Sequence, residues 1–312
     1  MHIVYVHLGP KPVPAHTWES VRQIREIEWM SKTRLDAPIW IISPAQTWSM
    51  EDLKQAHATR TTHVPSEWLD DFDKNVEFKK VSFLDYTPVH WQGFWETTMQ
   101  RTFYLEAFMR KVDEYSTVLH IENDVLLYQH PYDATAQFHG LFKDRLACMD
   151  GADGHSSLAF TYIDNVKGIE WLNNQWLWHL AQGQKHCVEY INDPHETCVN
   201  EMVLLRAIRK EYPNAMGTLP ILPSGKGSNN FDVLHKVFDP MSWGQWVCGV
   251  HQNPGVPYSV AFHWIGEQII AKKFGVEWGD SVPYVVEYAT GIKTPLVNLH
   301  VHSKELSRWR HP

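Results

Sequence analysis

Cysteine is scarce in this chain of 312 residues, with four at Cys148, Cys187, Cys198 and Cys248. They have neither paired zinc-ligand spacing nor the density of a disulfide scaffold, so reduced structural thiols are expected. No run of about 18 apolar residues could span a bilayer. Met1-His2-Ile3-Val4-Tyr5-Val6-His7 shows no basic region leading into a long apolar segment and reads as a strand, so no secretory signal is expected. The expectation is a soluble, cytoplasmic protein with no integral membrane segment. Positive charge is also short: 28 Lys and Arg against 36 Asp and Glu give a net charge of -8. A broad nucleic-acid surface needs clustered cations to displace counterions, so no nucleic-acid partner is expected, although a local basic pocket is allowed. Gly225-Lys226-Gly227-Ser228 lacks the upstream glycine of a phosphate-binding P-loop and reads as a mobile loop.

What is present is ordinary for a globular protein, 44% hydrophobic and 21% charged, and long enough for one large domain or two smaller ones. Fifteen tryptophans are many for this length, but large aromatics serve cores and ligand faces alike. In order, the chain reads as a strand around Ile3 to His7, then the loop Leu8-Gly9-Pro10-Lys11-Pro12, which can bring backbone close to a ligand. A helix follows from a Thr17 cap through Val21, Ile24, Ile27 and Glu28, closed by Trp29 and Met30. Ala37 to Ile42 is a continuous apolar strand of the parallel-sheet kind, and Ser49-Met50-Glu51-Asp52 a helix cap. Val76 to Phe83 reads as an edge strand and a long helix begins near Phe94. Further on come a strand at Arg145 to Met149, a loop at Gly151 to Ser157, a strand at Leu158 to Ile163, and helices over Val166 to Leu180 and Asn200 to Lys210. This alternation predicts an α/β fold with a mostly parallel sheet and ligands at the strand carboxyl ends.

One stretch organises the rest. Thr117-Val118-Leu119-His120-Ile121-Glu122-Asn123-Asp124-Val125-Leu126-Leu127-Tyr128 is an apolar strand interrupted by two acids. In an extended chain Glu122 and Asp124 point to one side and Asn123 to the other. Such acids can simply mark a solvated turn. Yet the chain returns to apolar residues at once, and two half-buried carboxylates need a cation or hydrogen-bond donors.

Other residues gather around this question. Arg101 lies on an otherwise apolar helix stripe with Phe94, Leu105, Phe108 and Val112, and so needs either an acidic neighbour or a ligand phosphate. Glu201 follows the cap Asn200, where exposed amides stabilise a carboxylate that could also act as a general base. In Asn298-Leu299-His300-Val301-His302-Ser303-Lys304 the two histidines share one strand face, a better ligand candidate than a lone His. A short helix in Phe238 to Val250 can offer Trp243 and Trp246 to a groove or to the core.

In that order the parts resemble GT-A-type nucleotide-sugar glycosyltransferases, over nearly the whole chain. Glu122-Asn123-Asp124 looks like the Asp-x-Asp metal motif with Glu in first place. Gly151 to Ser157 stands where those enzymes carry a glycine loop. Asn200-Glu201 is similar to their acidic acceptor-side element, and His300 or His302 to their late metal-binding histidine. Phe238 to Gly249 and Asn298 to Lys304 look like segments of small bacterial and viral members. The resemblance implies one GT-A (Rossmann-like) domain over 1–312, with a donor half at 1–135 and an acceptor half at 136–312 that ends in a metal and diphosphate segment. It implies Mn²⁺ or Mg²⁺ on Glu122, Asp124 and His300 or His302. The nucleotide-sugar donor would lie against His7, Gly9, Arg101, Glu122, Asn123 and Lys304, and Glu201 would be the base of an inverting transfer to a glycan acceptor, which a membrane can carry. Sugar nucleotidyl transfer, metal-dependent hydrolysis and metal-free carbohydrate binding are the rival readings.

Overall fold

A computed structural model describes residues 1–31, 35–82, 93–150, 156–193, 199–250, 253–254, 265, 268–269, 271–280 and 282–310. The order of elements is β1 (His2–Val6), α1 (Ala15–Met30), β2 (Ile39–Ser43), α2 (Met50–Thr59), β3 (Thr61–Pro65), α3 (Asp73–Val81), α4 (Phe94–Val112), β4 (Val118–Ile121) and β5 (Val125–Leu127). Then follow α5 (Pro131–Thr135), α6 (Phe138–Leu141), β6 (Leu146–Asp150), β7 (Ser156–Ile163), α7 (Val166–Ala181), α8 (Gln184–Ile191), α9 (Glu201–Glu211) and β8 (Gly217–Leu219). The last part holds α10 (Phe231–Leu234), α11 (Ser242–Cys248), β9 (Gly249–Val250), β10 (Asn253–Pro254), β11 (Phe274–Trp278), β12 (Pro283–Glu287), β13 (Ile292–Pro295), β14 (Asn298–His300) and α12 (Leu306–Trp309).

Seven strands form the central sheet in the order β3-β2-β1-β4-β7-β6-β8. All neighbours run parallel except β7, which is antiparallel to β4 and to β6. This is the mostly parallel α/β sheet expected from the alternation of elements. Successive residues of one strand serve opposite faces: Ile3 and Tyr5 join a core with α1, while Val4 joins another with α4, α7 and α9. Burial on both faces explains why these strands read as continuous apolar runs. Among the described residues no helix is long and apolar enough to cross a membrane.

Several expectations change. Val76 to Val81 is helix, not edge strand, because Asn75 and Phe78 recur at helical spacing and turn one side of α3 into the core. One edge of the sheet is β3, paired in parallel with β2, and the other is β8. Thr17 caps nothing; α1 starts after Pro14 and Thr17 is buried within it. Trp29 and Met30 do not close the buried stripe, since both are exposed. Ser49 and Asp52 form the expected reciprocal cap of α2. Of the expected glycine loop, residues 151–155 lie outside the described residues, and Ser156 and Ser157 begin β7.

Candidate active site

In the sheet order, β1 leads outward through β2 and β3 while β4 lies on its other side. The crevice beyond the carboxyl ends of β1 and β4 is therefore the topological switch point, where open α/β sheets bind ligands. Glu122 and Asp124 lie there, but not on one extended strand. Val125 N donates to Glu122 O at 3.1 Å, closing a turn between β4 and β5. The turn holds because each side is paired: Glu122 N donates to Ala159 O at 2.9 Å and Val301 N to Asp124 O at 2.8 Å.

β5 pairs antiparallel with β14, and this brings His300 to the acids. His300 Nε2 lies 3.1 Å from Asp124 Oδ2 and 3.4 Å from Glu122 Oε2. One ligand atom from each of the three residues falls within 4.8 Å of the others. Lys304 Nζ also pairs with Asp124 Oδ2. Its backbone has a φ of 64°, a left-handed conformation that costs a lysine about 1 kcal/mol.

Arg101 ties the acids together from below. Nη1 pairs with Glu122, and Nη2 lies 3.0 Å from both oxygens of Glu201. The buried arginine has therefore found acidic neighbours, one at the strand end and one in the first turn of α9. Asn200 caps that helix as expected, its Oδ1 accepting from Val203 N at 3.1 Å. Three carboxylates against two fixed cations leave negative charge in the crevice before any charge on His300 is counted.

The protonation states follow from this crowding. Burial pushes the Asp124 carboxyl up, but His300 and Lys304 outweigh it and hold it well below the carboxylate range. Glu122 is opposed by burial and lowered by Arg101 and His300. Glu201 is raised by burial, against the pull of Arg101. His300 is lowered by burial yet raised on balance by Asp124. His302 is pushed down to about 3 by burial and then by the His300 charge. It lies past the end of β14 in a turn, its ring stacked on His300 with centroids 4.4 Å apart, so the pair converges by stacking rather than by strand alternation.

His7 and Gly9 leave β1 toward the same crevice, but His7 Nε2 bonds Lys11 O at 2.8 Å and touches none of the acids. Asn123 sits in the turn with its buried Oδ1 without a hydrogen-bond partner. Trp243 faces no groove: it is fully buried, its Nε1 donating to Ile221 O at 3.1 Å.

Two residues were missed in the sequence. Asp239 is fully buried and accepts from Met241 N, Trp243 N and Gly244 N, and from His300 N at 2.8 Å. It pins the start of α11 to His300. A Cβ on Gly244 would meet His300 O at 1.8 Å, so only glycine lets α11 lie this close. The sequence signal was an Asp-Pro pair just before a short helix. The other is His16. α1 is fastened along β5, with Ser20 Oγ donating to Val125 O and Gln23 Nε2 to Leu127 O at 3.1 Å. One turn earlier in that register, His16 reaches the level of Asp124. Burial pushes its imidazole down to about 4, against the pull of Asp124.

No protein-family model and no curated protein matches the sequence. Solved structures whose folds align with this chain include glycosyltransferases. Mouse xyloside xylosyltransferase 1 in its apo form is 10% identical with a TM-score of 0.49, over 70% of this chain and 84% of that one. The galactosyltransferase LgtC, in complex with donor and acceptor sugar analogues, is 13% identical with a TM-score of 0.39, over 67% and 70%. The PaToxG glycosyltransferase is 11% identical with a TM-score of 0.39, over 68% and 69%.

Proposed function

We propose that the chain is a metal-dependent glycosyltransferase of GT-A type, which moves a sugar from a nucleoside-diphosphate sugar to a hydroxyl of a glycan or other acceptor. One observation carries this: Glu122, Asp124 and His300 present two oxygens and one nitrogen within 4.8 Å at the sheet's switch point, with Lys304 beside them. The donor set fits a hard divalent ion, since carboxylate oxygens with one imidazole suit Mn²⁺ or Mg²⁺. His302 stacks on His300, its buried Nε2 without a hydrogen-bond partner, but it does not join this group of mutually close ligand atoms. When bound, such an ion offsets the charge that grows on the leaving diphosphate.

The chain's own residues divide the remaining work. Lys304, its side chain 39% exposed, can turn from Asp124 to a diphosphate oxygen. Arg101 fixes Glu122 and Glu201 relative to each other. Glu201 is the proposed base in an inverting transfer. It is 2% exposed and accepts from Arg101 on both oxygens, but a carboxylate has about four lone-pair sites, so a substrate hydroxyl can still donate to it. Its raised pKa suits proton uptake. Residues 1–135 are proposed as the donor half, where His7 and Gly9 border the crevice, and residues 136–312 as the acceptor half. The place of action proposed is the cytoplasm, free or against a membrane that carries the acceptor.

Calorimetry with UDP and GDP tests the reading. Binding is expected with Mn²⁺, lost with a chelator and lost in Asp124→Asn; a variant that binds as well as the parent removes the metal from the scheme. Glu201→Gln should keep nucleotide affinity and lose transfer, and unchanged turnover would remove Glu201 as the base. The product's anomeric configuration by NMR decides inversion. Release of pyrophosphate instead of nucleoside diphosphate would make the enzyme a nucleotidyltransferase.

A further inference from the structure

A second concavity lies at the far end of α1, between that helix, α2 and α12. It measures about 880 Å³ and is lined by Arg22, Glu26, Trp29, Gln55 and Arg310 among others. Trp29 is 90% exposed. Thirteen residues separate it from His16, about 20 Å along the helix, so this is not an extension of the acid cluster.

The polar groups around Trp29 are already held in place. Arg22 donates to Gln55 Oε1 at 2.6 Å and pairs with Glu19. Arg310 pairs with Glu19 at 2.7 Å and with Glu26. Arg25 pairs with Glu28 at 2.5 Å and donates to Thr59 O. Charge therefore decides what fits. Arg308 lines the concavity as well, making four arginines against the one lining acid Glu26, but Glu19, Glu28 and Glu305 pair with them from outside the lining and bring the local charge near balance. The concavity offers planar donors and acceptors, fixed by one another, next to an open indole face. That chemistry matches a neutral sugar, whose ring C–H face packs on an aromatic plane while its hydroxyls pair with guanidinium, amide and carboxylate groups. The volume is within the roughly 300–1,000 Å³ usual for small-ligand sites.

We infer that Trp29, with Arg22, Gln55, Glu26 and Arg310, forms a second saccharide site, remote from the acid cluster and independent of metal and nucleotide, which takes a neutral oligosaccharide segment. The test is saturation-transfer NMR and calorimetry on the whole chain in chelator without nucleotide. The probes are cello-, malto-, xylo- and mannohexaose, a uronic-acid hexamer, and vesicles of neutral or anionic lipid. The expected result is millimolar or tighter binding of at least one neutral hexaose. That binding should weaken at least tenfold in Trp29→Ala and survive in Asp124→Asn, with the melting temperature of Trp29→Ala unchanged. Three outcomes would overturn the inference: no neutral hexaose bound, binding indifferent to Trp29→Ala, or binding confined to the uronic-acid probe or to vesicles. None of these measurements needs transfer activity, so the failure of the glycosyltransferase reading would leave this result standing.

Discussion

The two halves of helix α4 handle buried charge in opposite ways. Five residues after Arg101, Glu106 is fully buried and surrounded by donors: Lys74 Nζ at 3.0 and 3.1 Å, Arg110 Nη2 at 3.0 Å and Asn173 Nδ2 at 2.9 Å. Asn173 is held in turn by Thr102, whose Oγ1 donates to it at 2.6 Å. One acid meets two cations and an amide, and the knot is satisfied. Around Arg101 the count is reversed and atoms are left over. Arg101 Nε, His120 Nε2, Asn123 Oδ1, His300 Nδ1 and His302 Nε2 are buried without hydrogen-bond partners. A satisfied network stabilises a fold, whereas leftover buried polar atoms need a reason, and a ligand is one. The same helix thus carries a satisfied end and an end with unpartnered polar atoms.

Breaking the satisfied end should have the largest effect on stability. Glu106→Ala should cost about 3 kcal/mol in denaturant unfolding, by leaving Lys74 and Arg110 with the half-exposed Glu170 alone and the buried Asn173 amide with one acceptor fewer. Its nucleotide affinity should stay within about twofold; a loss as large as that of Asp124→Asn would erase the contrast. Asp124→Asn removes a candidate metal ligand and also the charge that His300 and Lys304 hold well below the carboxylate range, so it too should lose stability. Its melting temperature should fall by about 3–6 °C, roughly 1–2 kcal/mol for a chain of this size.

Acid should next reveal the neutral histidine beneath the cluster. His120 bonds Val4 O at 2.9 Å, and burial followed by the Arg101 charge pushes its imidazole down to about 4 from 6.5. The unfolded chain takes that proton first, so the stability tied to neutral His120 is whole above pH 6.5 and is lost as pH falls toward 4. His120→Asn keeps a donor for Val4 O and should flatten that loss by up to about 3 kcal/mol between pH 7 and pH 4. An unchanged slope in urea titrations would show that His120 carries no such linkage. The smallest effect belongs to a site far from both ends of α4: Ser49→Ala removes the reciprocal cap of α2 and should cost about 1 kcal/mol in the same titration.

Regular elements with an apolar signal were legible in the sequence. β1, β2, β6, β7, α1, α4, α7 and α9 all have buried runs or stripes that local pattern can show. β3 escaped notice because an edge strand with Thr61, Thr62 and His63 has little apolar character, and α3 was misread because its buried positions are few. At the site, Glu122, Asp124, Arg101, Glu201, His300 and Lys304 are all visible in the sequence, since charged residues in apolar surroundings stand out. Their pairing was not visible. Whether Arg101 would meet an acid or a ligand depends on where α4 and α9 pack, and that is settled by contacts 21 and 100 residues apart in sequence. His16 and Asp239 act through register and backbone amides, which leave almost no mark on composition.

The pairing of β5 with β14 also sets a schedule. Asp124 and His300 are 176 residues apart, so on a ribosome adding about 5–20 residues per second the first acid waits roughly 10–35 s for its histidine. During that interval the early strands and helices have their own apolar partners, but the turn between β4 and β5 has not yet met Val301 N or Lys304. The nascent chain would thus spend its youth as a scaffold without a finished centre, and competence would arrive late, with the docking of one short strand.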